Sequence, residues 1–152
     1  MRPFACVLTV VHAGSANARI VLVRQFRYAV GTWQLESPAG GIEDGEPAPQ
    51  AAMRELKEEC GLLVDELVSL GYTYPSGGST SEVAHLFAAR CKSEAVTHEL
   101  DKGEQIEPVL VSRLQMEKLL SGDGSGFAHA PTAVAWLRLQ ARGILDAWMP
   151  RR

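Results

Sequence analysis

Glu55, Glu58 and Glu59, three glutamates within five residues, are the chain's densest cluster of groups able to do chemistry. On a helix turning about 100° per residue, Glu58 and Glu59 fall to either side of Glu55, so the three carboxylates share one face. Ala52, Met53, Leu56 and Cys60 fall beside them and make the apolar stripe expected to face the core. Glu59 borders that stripe and should be only partly solvated. Like charges three and four residues apart repel by a few tenths of a kcal/mol per pair, and partial burial raises that cost. Arg54, four residues before Glu58, can offset one charge. A hard divalent cation would offset the rest, because Mg²⁺ takes carboxylate oxygens together with phosphate and water. The alternative is a solvated acidic helix face that binds nothing.

The flanking residues bear on that choice. Gly40-Gly41-Ile42-Glu43-Asp44-Gly45-Glu46 leads towards the helix, and Arg54-Glu55-Leu56-Lys57-Glu58-Glu59-Cys60-Gly61-Leu62 closes it. As a pattern this is Gly, five residues, Glu, seven residues, then Arg-Glu-aliphatic-any-Glu-Glu-any-Gly-aliphatic. It resembles the Nudix hydrolase box and matches every specified position from Gly40 to Leu62. The resemblance implies an α/β (α+β) fold, an α/β/α sandwich whose mixed β-sheet lies between helices and whose box forms loop–helix–loop. It also implies hydrolysis of a nucleoside diphosphate linked to another group, with two or three Mg²⁺ or Mn²⁺ ions per site. By position, Glu55, Glu58 and Glu59 would be metal ligands and Arg54 would orient them. Glu46 would brace the loop against the helix, and Gly40 and Gly61 would allow tight backbone geometry.

The residues beyond the box narrow the substrate. Upstream, Arg24-Gln25-Phe26-Arg27-Tyr28 precedes Glu36-Ser37-Pro38-Ala39-Gly40; downstream, Tyr74-Pro75-Ser76-Gly77-Gly78-Ser79-Thr80-Ser81-Glu82 places a proline 14 residues after Gly61. Both stretches are similar to the ADP-ribose pyrophosphatase branch of the family, and together the matches span roughly residues 20–110. That branch implies a small-molecule nucleoside diphosphate sugar as substrate, with ADP-ribose giving AMP and ribose 5-phosphate. It implies that Ala39 offers its backbone carbonyl to a metal and that Arg27 holds a phosphate, which suits a guanidinium fork. The plain alternative for Arg27 is a surface strand arginine. Glu36 and Glu82 are weaker candidates for contacts with ribose or metal-bound water. The general base of the branch sits on the loop before the last sheet strand, here Asp101–Val109. Glu104 fits the pattern Gly-Glu-any-apolar-Glu best, ahead of Glu107 and Glu99. A homodimer belongs to the same resemblance, whereas a cytoplasmic setting is the expectation from three free cysteines in a reducing compartment. Members of the branch usually carry extra N-terminal strands that supply base-stacking aromatics across a swapped dimer. This sequence starts close to its first strand, so that platform is expected to be either missing or rebuilt from Phe4, Tyr28 or side chains of another subunit. Competing readings are a Nudix enzyme that cleaves modified nucleoside triphosphates to pyrophosphate and a nucleotide sensor that binds without cleaving. The Pro75 segment speaks against the first and the intact glutamates against the second.

These residues need elements to position them. Residues 4–12 and 19–29 read as strands joined by a turn at 13–18, with a short strand at 33–36. Ser37–Gly41 reads as a loop. Pro47 suits a first helical position and Gly61 a left-handed cap, which predicts a helix over 47–60. Strands are expected at 63–74 and 82–91 with a turn at 75–79 between them, then a long polar loop at 92–105, a last strand at 106–111, and helices at 112–120 and 131–142.

Composition sets outer bounds. A length of 152 residues suits one domain over 1–152. The formal charge of −3 speaks against nucleic acid or an anionic membrane as the main partner, since both ask for a basic face. Cys6, Cys60 and Cys91 are odd in number and lack zinc spacing, so buried free thiols are expected. The apolar run near the N-terminus, rich in β-branched residues, reads as a strand in preference to a signal peptide. His85 reads as structural, and His12, His98 and His129 show no ligand spacing. Trp136, Leu137 and Leu139 read as a core face. Trp33 reads as packing, with base stacking the alternative.

Overall fold

A computed structural model describes residues 2–92, 106–122, 127 and 129–151. Its elements in chain order are β1 (Phe4–Val11), β2 (Arg19–Arg27), β3 (Thr32–Glu36), β4 (Ala39–Gly41), α1 (Ala48–Cys60), β5 (Val64–Thr73), β6 (Ala84–Cys91), β7 (Ile106–Val111), α2 (Arg113–Leu120), α3 (Ala130–Ala141) and α4 (Ile144–Trp148). The seven strands form one mixed sheet with main order β3-β2-β1-β6-β5; β1 and β6 run parallel and the remaining pairs are antiparallel. Helices cover both faces, as expected of a mixed sheet between helices. Among the described residues no helix is long and apolar enough to cross a membrane.

Coverage of both faces explains why β1 reads as an unbroken apolar run rather than an alternating one. Ala5, Val7 and Val11 enter a core with Ala51, Ala52, Leu56 and Cys60 of α1. Cys6, Leu8 and Val10 enter the opposite core, with Met116 of α2, Ala135, Trp136 and Leu139 of α3, and Leu145 and Trp148 of α4. Burying each such side chain contributes about 1.5–3 kcal/mol for the larger aliphatics.

The sheet forks between β1 and β2. They pair only over Thr9–Val11 with Arg19–Val21. Beyond that point β2 takes β3 through Val23–Arg27, while β1 takes β4 through Phe4–Cys6. The chain crosses from one prong to the other at Ser37-Pro38, and the Pro38 carbonyl accepts the Val7 N–H at 2.9 Å inside the fork. The expected loop at Ser37–Gly41 is therefore half strand: Ala39–Gly41 adds to the edge of β1 that the fork leaves open.

The helix ends also differ in detail. Pro47 takes the N-cap with extended backbone rather than the first helical position, and Gly61 is a left-handed cap at φ 66°. Met53, expected in the core stripe, is 40% exposed, and Ala51 is buried in its place. The buried arc of α1 is thus turned towards the glutamates. Leu137 is likewise 63% exposed while Trp136 and Leu139 are buried, because Leu137 lies about 100° round the helix from Trp136. Helix α4 lies beyond the elements expected from sequence, because its five residues are too few for a periodic signal. The three cysteines are free and buried, as expected.

Candidate active site

Arg54 is the centre of the site. Its Nε donates to Glu46 at 3.0 Å, and one terminal nitrogen donates to Glu46 at 3.0 Å and to the Gly41 carbonyl at 2.9 Å. The other terminal nitrogen donates to Glu55 at 2.7 Å and Glu58 at 3.2 Å. Glu46 also accepts the Glu43 N–H at 3.0 Å, so one carboxylate ties the loop both to itself and to α1. The Arg54 hydrogen bond, helped by the Glu43 N–H, holds the Glu46 carboxyl below its usual value of 4.5. In return, the Glu46 hydrogen bond raises the Arg54 guanidinium further above its ordinary range.

Glu59 faces inward. It is 6% exposed, and its Oε2 accepts the Ala39 N–H at 3.1 Å. An ionised carboxylate buried this far requires compensating donors or cations. A Cβ at Gly40 would lie 2.0 Å from the Glu55 carboxyl carbon, so a larger residue there would push that carboxylate out of its present position. Backbone and carboxylate are thus packed against each other at the start of the box. As the side chains stand, no three acidic, histidine or cysteine groups among the described residues converge as a metal cage. Arg54 draws Glu55 and Glu58 to itself and occupies the cationic role. The donor set of Glu55, Glu58, Glu59 and the neighbouring backbone is nevertheless all hard oxygen, which fits Mg²⁺ or Mn²⁺ and not a soft metal.

A second polar group lies at the fork. Arg27 grips Glu36 with two parallel bonds, Nε to Oε1 at 2.8 Å and Nη2 to Oε2 at 2.5 Å. The Glu36 side chain is 1% exposed and that of Arg27 42%, so the arginine bridges solvent and interior. Behind Glu36 stand two residues of the α3 entry: His129 Nε2 lies 3.6 Å from Glu36 Oε2, and His129 Nδ1 is 2.7 Å from Thr132 Oγ1. Thr132 Oγ1 in turn accepts the Ser37 N–H at 2.9 Å. Burial holds the His129 imidazole below its usual 6.5, with Glu36 opposing and Arg27 reinforcing the shift.

The site residues proposed from sequence divide accordingly. Ala39, Glu46, Arg54, Glu55 and Glu58 gather around one loop–helix junction, with Glu59 beneath it, and Arg27 with Glu36 forms the adjacent fork. Glu82 is partly buried just before β6, whose Ala84 pairs with Phe4 opposite Gly41; this places it at the same end of the sheet without drawing it into the Arg54 cluster. Glu104 and Glu99 lie outside the described residues. Glu107 is on β7, exposed, with its carboxylate 3.5 Å from Arg24. Trp33 is 42% exposed, packed edge-on to Phe26 at 5.7 Å with Arg24 over its ring at 4.5 Å. Sequence reading did not find the Arg27–Glu36 pairing or the roles of Thr132 and His129. Ser37 and Thr132 are 95 residues apart, and no local spacing encodes such a contact.

Other features of the structure do not compete for this chemistry. Burial pushes Cys6 and Cys60 up to about 12 and Cys91 up to about 11, which keeps them protonated and poor nucleophiles. A cavity of about 620 Å³ lies between Ser15–Arg19, the start of α2 and Met149–Arg151, and it shares no residue with the cluster.

Comparison with known proteins places this arrangement. The NUDIX domain model matches residues 3–129. The chain is 33% identical over 138 residues to the ADP-ribose pyrophosphatase of Bacillus subtilis (strain 168), covering 90% of this chain and 74% of that one. It is 31% identical over 137 residues to the ADP-ribose pyrophosphatase of Escherichia coli (strain K12), covering 85% of this chain and 66% of that one. A solved structure described as an ADP compounds hydrolase superposes with a TM-score of 0.72 at 25% identity, over 95% of this chain and 78% of that chain. The intact box, the mixed sheet between helices and these matches lead to one conclusion: the chain belongs to the Nudix hydrolase family.

Proposed function

We propose that this chain hydrolyses the pyrophosphate bond of ADP-ribose or a related nucleoside diphosphate sugar, giving a nucleoside monophosphate and a sugar phosphate, in a divalent-metal-dependent reaction. The observation that carries the proposal is the Arg54-centred junction. It draws Glu55 and Glu58 together on one helix beside the buried Glu59, against Gly40, where a Cβ would push the Glu55 carboxylate aside. The names of the relatives supply the substrate class.

Glu55, Glu58, Glu59 and the Ala39 carbonyl would hold Mg²⁺ or Mn²⁺. When bound, such ions polarise the phosphorus, acidify water and neutralise the departing phosphate. The remaining work falls to the protein. Glu59 is fixed by the Ala39 N–H, which restricts it to one geometry before substrate arrives. Arg54 holds Glu55 and Glu58 close together, offsetting their mutual repulsion. The half-exposed Arg27, already oriented by Glu36, offers its solvent side to a phosphate. Glu104 accepts the proton of the attacking water as the new P–O bond forms and the bridging P–O bond breaks, releasing the other phosphate with its group attached.

A substrate panel tests the proposal. Nucleoside diphosphate sugars, dinucleoside polyphosphates and nucleoside triphosphates are incubated with Mg²⁺ or Mn²⁺, and products are resolved by chromatography. AMP with ribose 5-phosphate from ADP-ribose is the expected result. A preference for triphosphates, with release of pyrophosphate, would overturn the substrate class, and no turnover of any member would overturn the reaction.

A further inference from the structure

The fork between β1 and β2 is held from both faces of the sheet. From the α1 face, Glu59 accepts the Ala39 N–H; from the α3 face, Thr132 accepts the Ser37 N–H. Pro38 between them is tied to Val7. The turn that presents the Ala39 carbonyl is therefore fixed at three consecutive residues by three different elements. Thr132 is fully buried, and its hydroxyl has one proton to give. The oxygen accepts the Ser37 N–H and has a second lone pair, and the Cys6 thiol is a further partner of the hydroxyl. The Glu36 carboxylate facing Nε2 favours the ring proton on that nitrogen, which leaves Nδ1, 2.7 Å from the hydroxyl, to accept. At 3.6 Å this last contact is long for a hydrogen bond, but the N–H dipole points its positive end towards a buried carboxylate. Glu36 spends both oxygens on the Arg27 fork.

We propose that Thr132 and His129 are positioning residues for the reaction, holding the Ser37–Ala39 turn and the Arg27–Glu36 fork in one register, with His129 fixed as its Nε2–H tautomer. The inference rests on the function proposed above for its kinetic consequence, but the tautomer and the hydrogen-bond chain stand independently of it. Each residue serves a different half of the site. Thr132 acts through the turn and so on the catalytic step. His129 acts through Glu36 and so on the orientation of Arg27 towards substrate.

The test uses the full chain. Nitrogen NMR of the histidine rings at pH 8 should show His129 with Nε2 protonated and a bare Nδ1 shifted by an accepted hydrogen bond, and Thr132→Val should remove that Nδ1 shift. With ADP-ribose as substrate, Thr132→Val should lower kcat by roughly 10- to 100-fold, the range seen when a residue supporting a metal site is lost, with little change in KM. Thr132→Ser, which keeps the hydroxyl, should restore most of it. His129→Asn, whose side-chain oxygen can replace Nδ1 but which does not extend towards Glu36, should raise KM more than it lowers kcat. Direct titration with Mn²⁺ alone should show weaker binding to Thr132→Val than to wild type. A His129 ring protonated on Nδ1, or a Thr132→Val variant that turns over within twofold of wild type, overturns the proposal. If Thr132→Val does not fold, the wild-type tautomer and the His129→Asn kinetics decide. If the wild type does not cleave ADP-ribose, the substrate proposal fails, while the tautomer and Mn²⁺ measurements still judge the positioning one.

Discussion

Helices α1 and α3 lie on opposite faces of one sheet and grip the same turn, one through Glu59 and the other through Thr132. Their chemistry differs. On the α1 side the polar groups are charged: Glu46 of the preceding loop and Glu55 and Glu58 of the helix converge on Arg54, and much of their compensation comes from that single cation. On α3 the gripping groups, the Thr132 hydroxyl and a histidine kept uncharged by burial, carry no net charge. The α1 face can exchange one cation for another, because its carboxylates are close together whichever cation holds them. The α3 face gains nothing from a cation and serves as the fixed reference. A site that must load and release ions while keeping its backbone still needs one face of each kind.

The largest predicted effect belongs to neither helix. Glu104→Gln should lower kcat by about 10²–10⁴ if this residue is the base. Glu107→Gln, in which an exposed strand residue loses only its partial pairing with Arg24, should cost less than fivefold. The reverse order would move the base onto β7, away from both helices. Next comes the charged face. Glu59→Gln should reduce turnover about a hundredfold or more with an unchanged circular dichroism spectrum; near-normal activity would remove Glu59 from the exchangeable set. Gly40→Ala should follow, with a loss of about ten- to a hundredfold, because its Cβ would displace the Glu55 carboxylate. An alanine variant with full activity would show that Glu55 is free to be elsewhere.

The smallest effects are in stability, and pH separates the two faces. Both Glu46 and His129 have depressed folded values, so each stabilises fully above its unfolded value and loses that contribution as pH falls. For His129 the loss begins below about 6.5, where the unfolded chain takes up a proton that the buried ring resists. For Glu46 it begins only below about 4.5, as protonation breaks its bonds to Arg54 and Glu43. Thermal melts from pH 8 to 4 should therefore show His129→Asn removing the earlier decline and Glu46→Gln the later one. If both variants flatten the same pH interval, the two faces are not electrostatically distinct.

How much of this the sequence disclosed follows the same division. The α1 face was legible because its residues are local: the spacing of Glu55, Glu58 and Glu59 and the glycines at 40 and 61 lie within one short stretch. Periodicity and the residues at element ends located six of the seven strands and the three longer helices. Periodicity misplaced Met53 and Leu137, since an apolar residue at the margin of a stripe turns in or out according to the neighbours it meets. It missed β4, because Ala39-Gly40-Gly41 carries no strand pattern and is recruited only by the open edge of β1. The α3 face was not legible. Thr132 resembles any helix threonine until the fold brings Ser37 beside it, and Arg27 resembles any surface arginine until Glu36 is found buried across the hairpin.

The most direct test of the exchangeable charged face is a crystal structure with Mn²⁺ and a non-cleavable ADP-ribose analogue, with the metal located by its anomalous signal. The account predicts Mn²⁺ ligated by Glu55, Glu58 and Glu59 against the diphosphate, with Arg54 withdrawn from at least one of them. Manganese and diphosphate bound away from these glutamates, with the Arg54 pairs undisturbed, would contradict it.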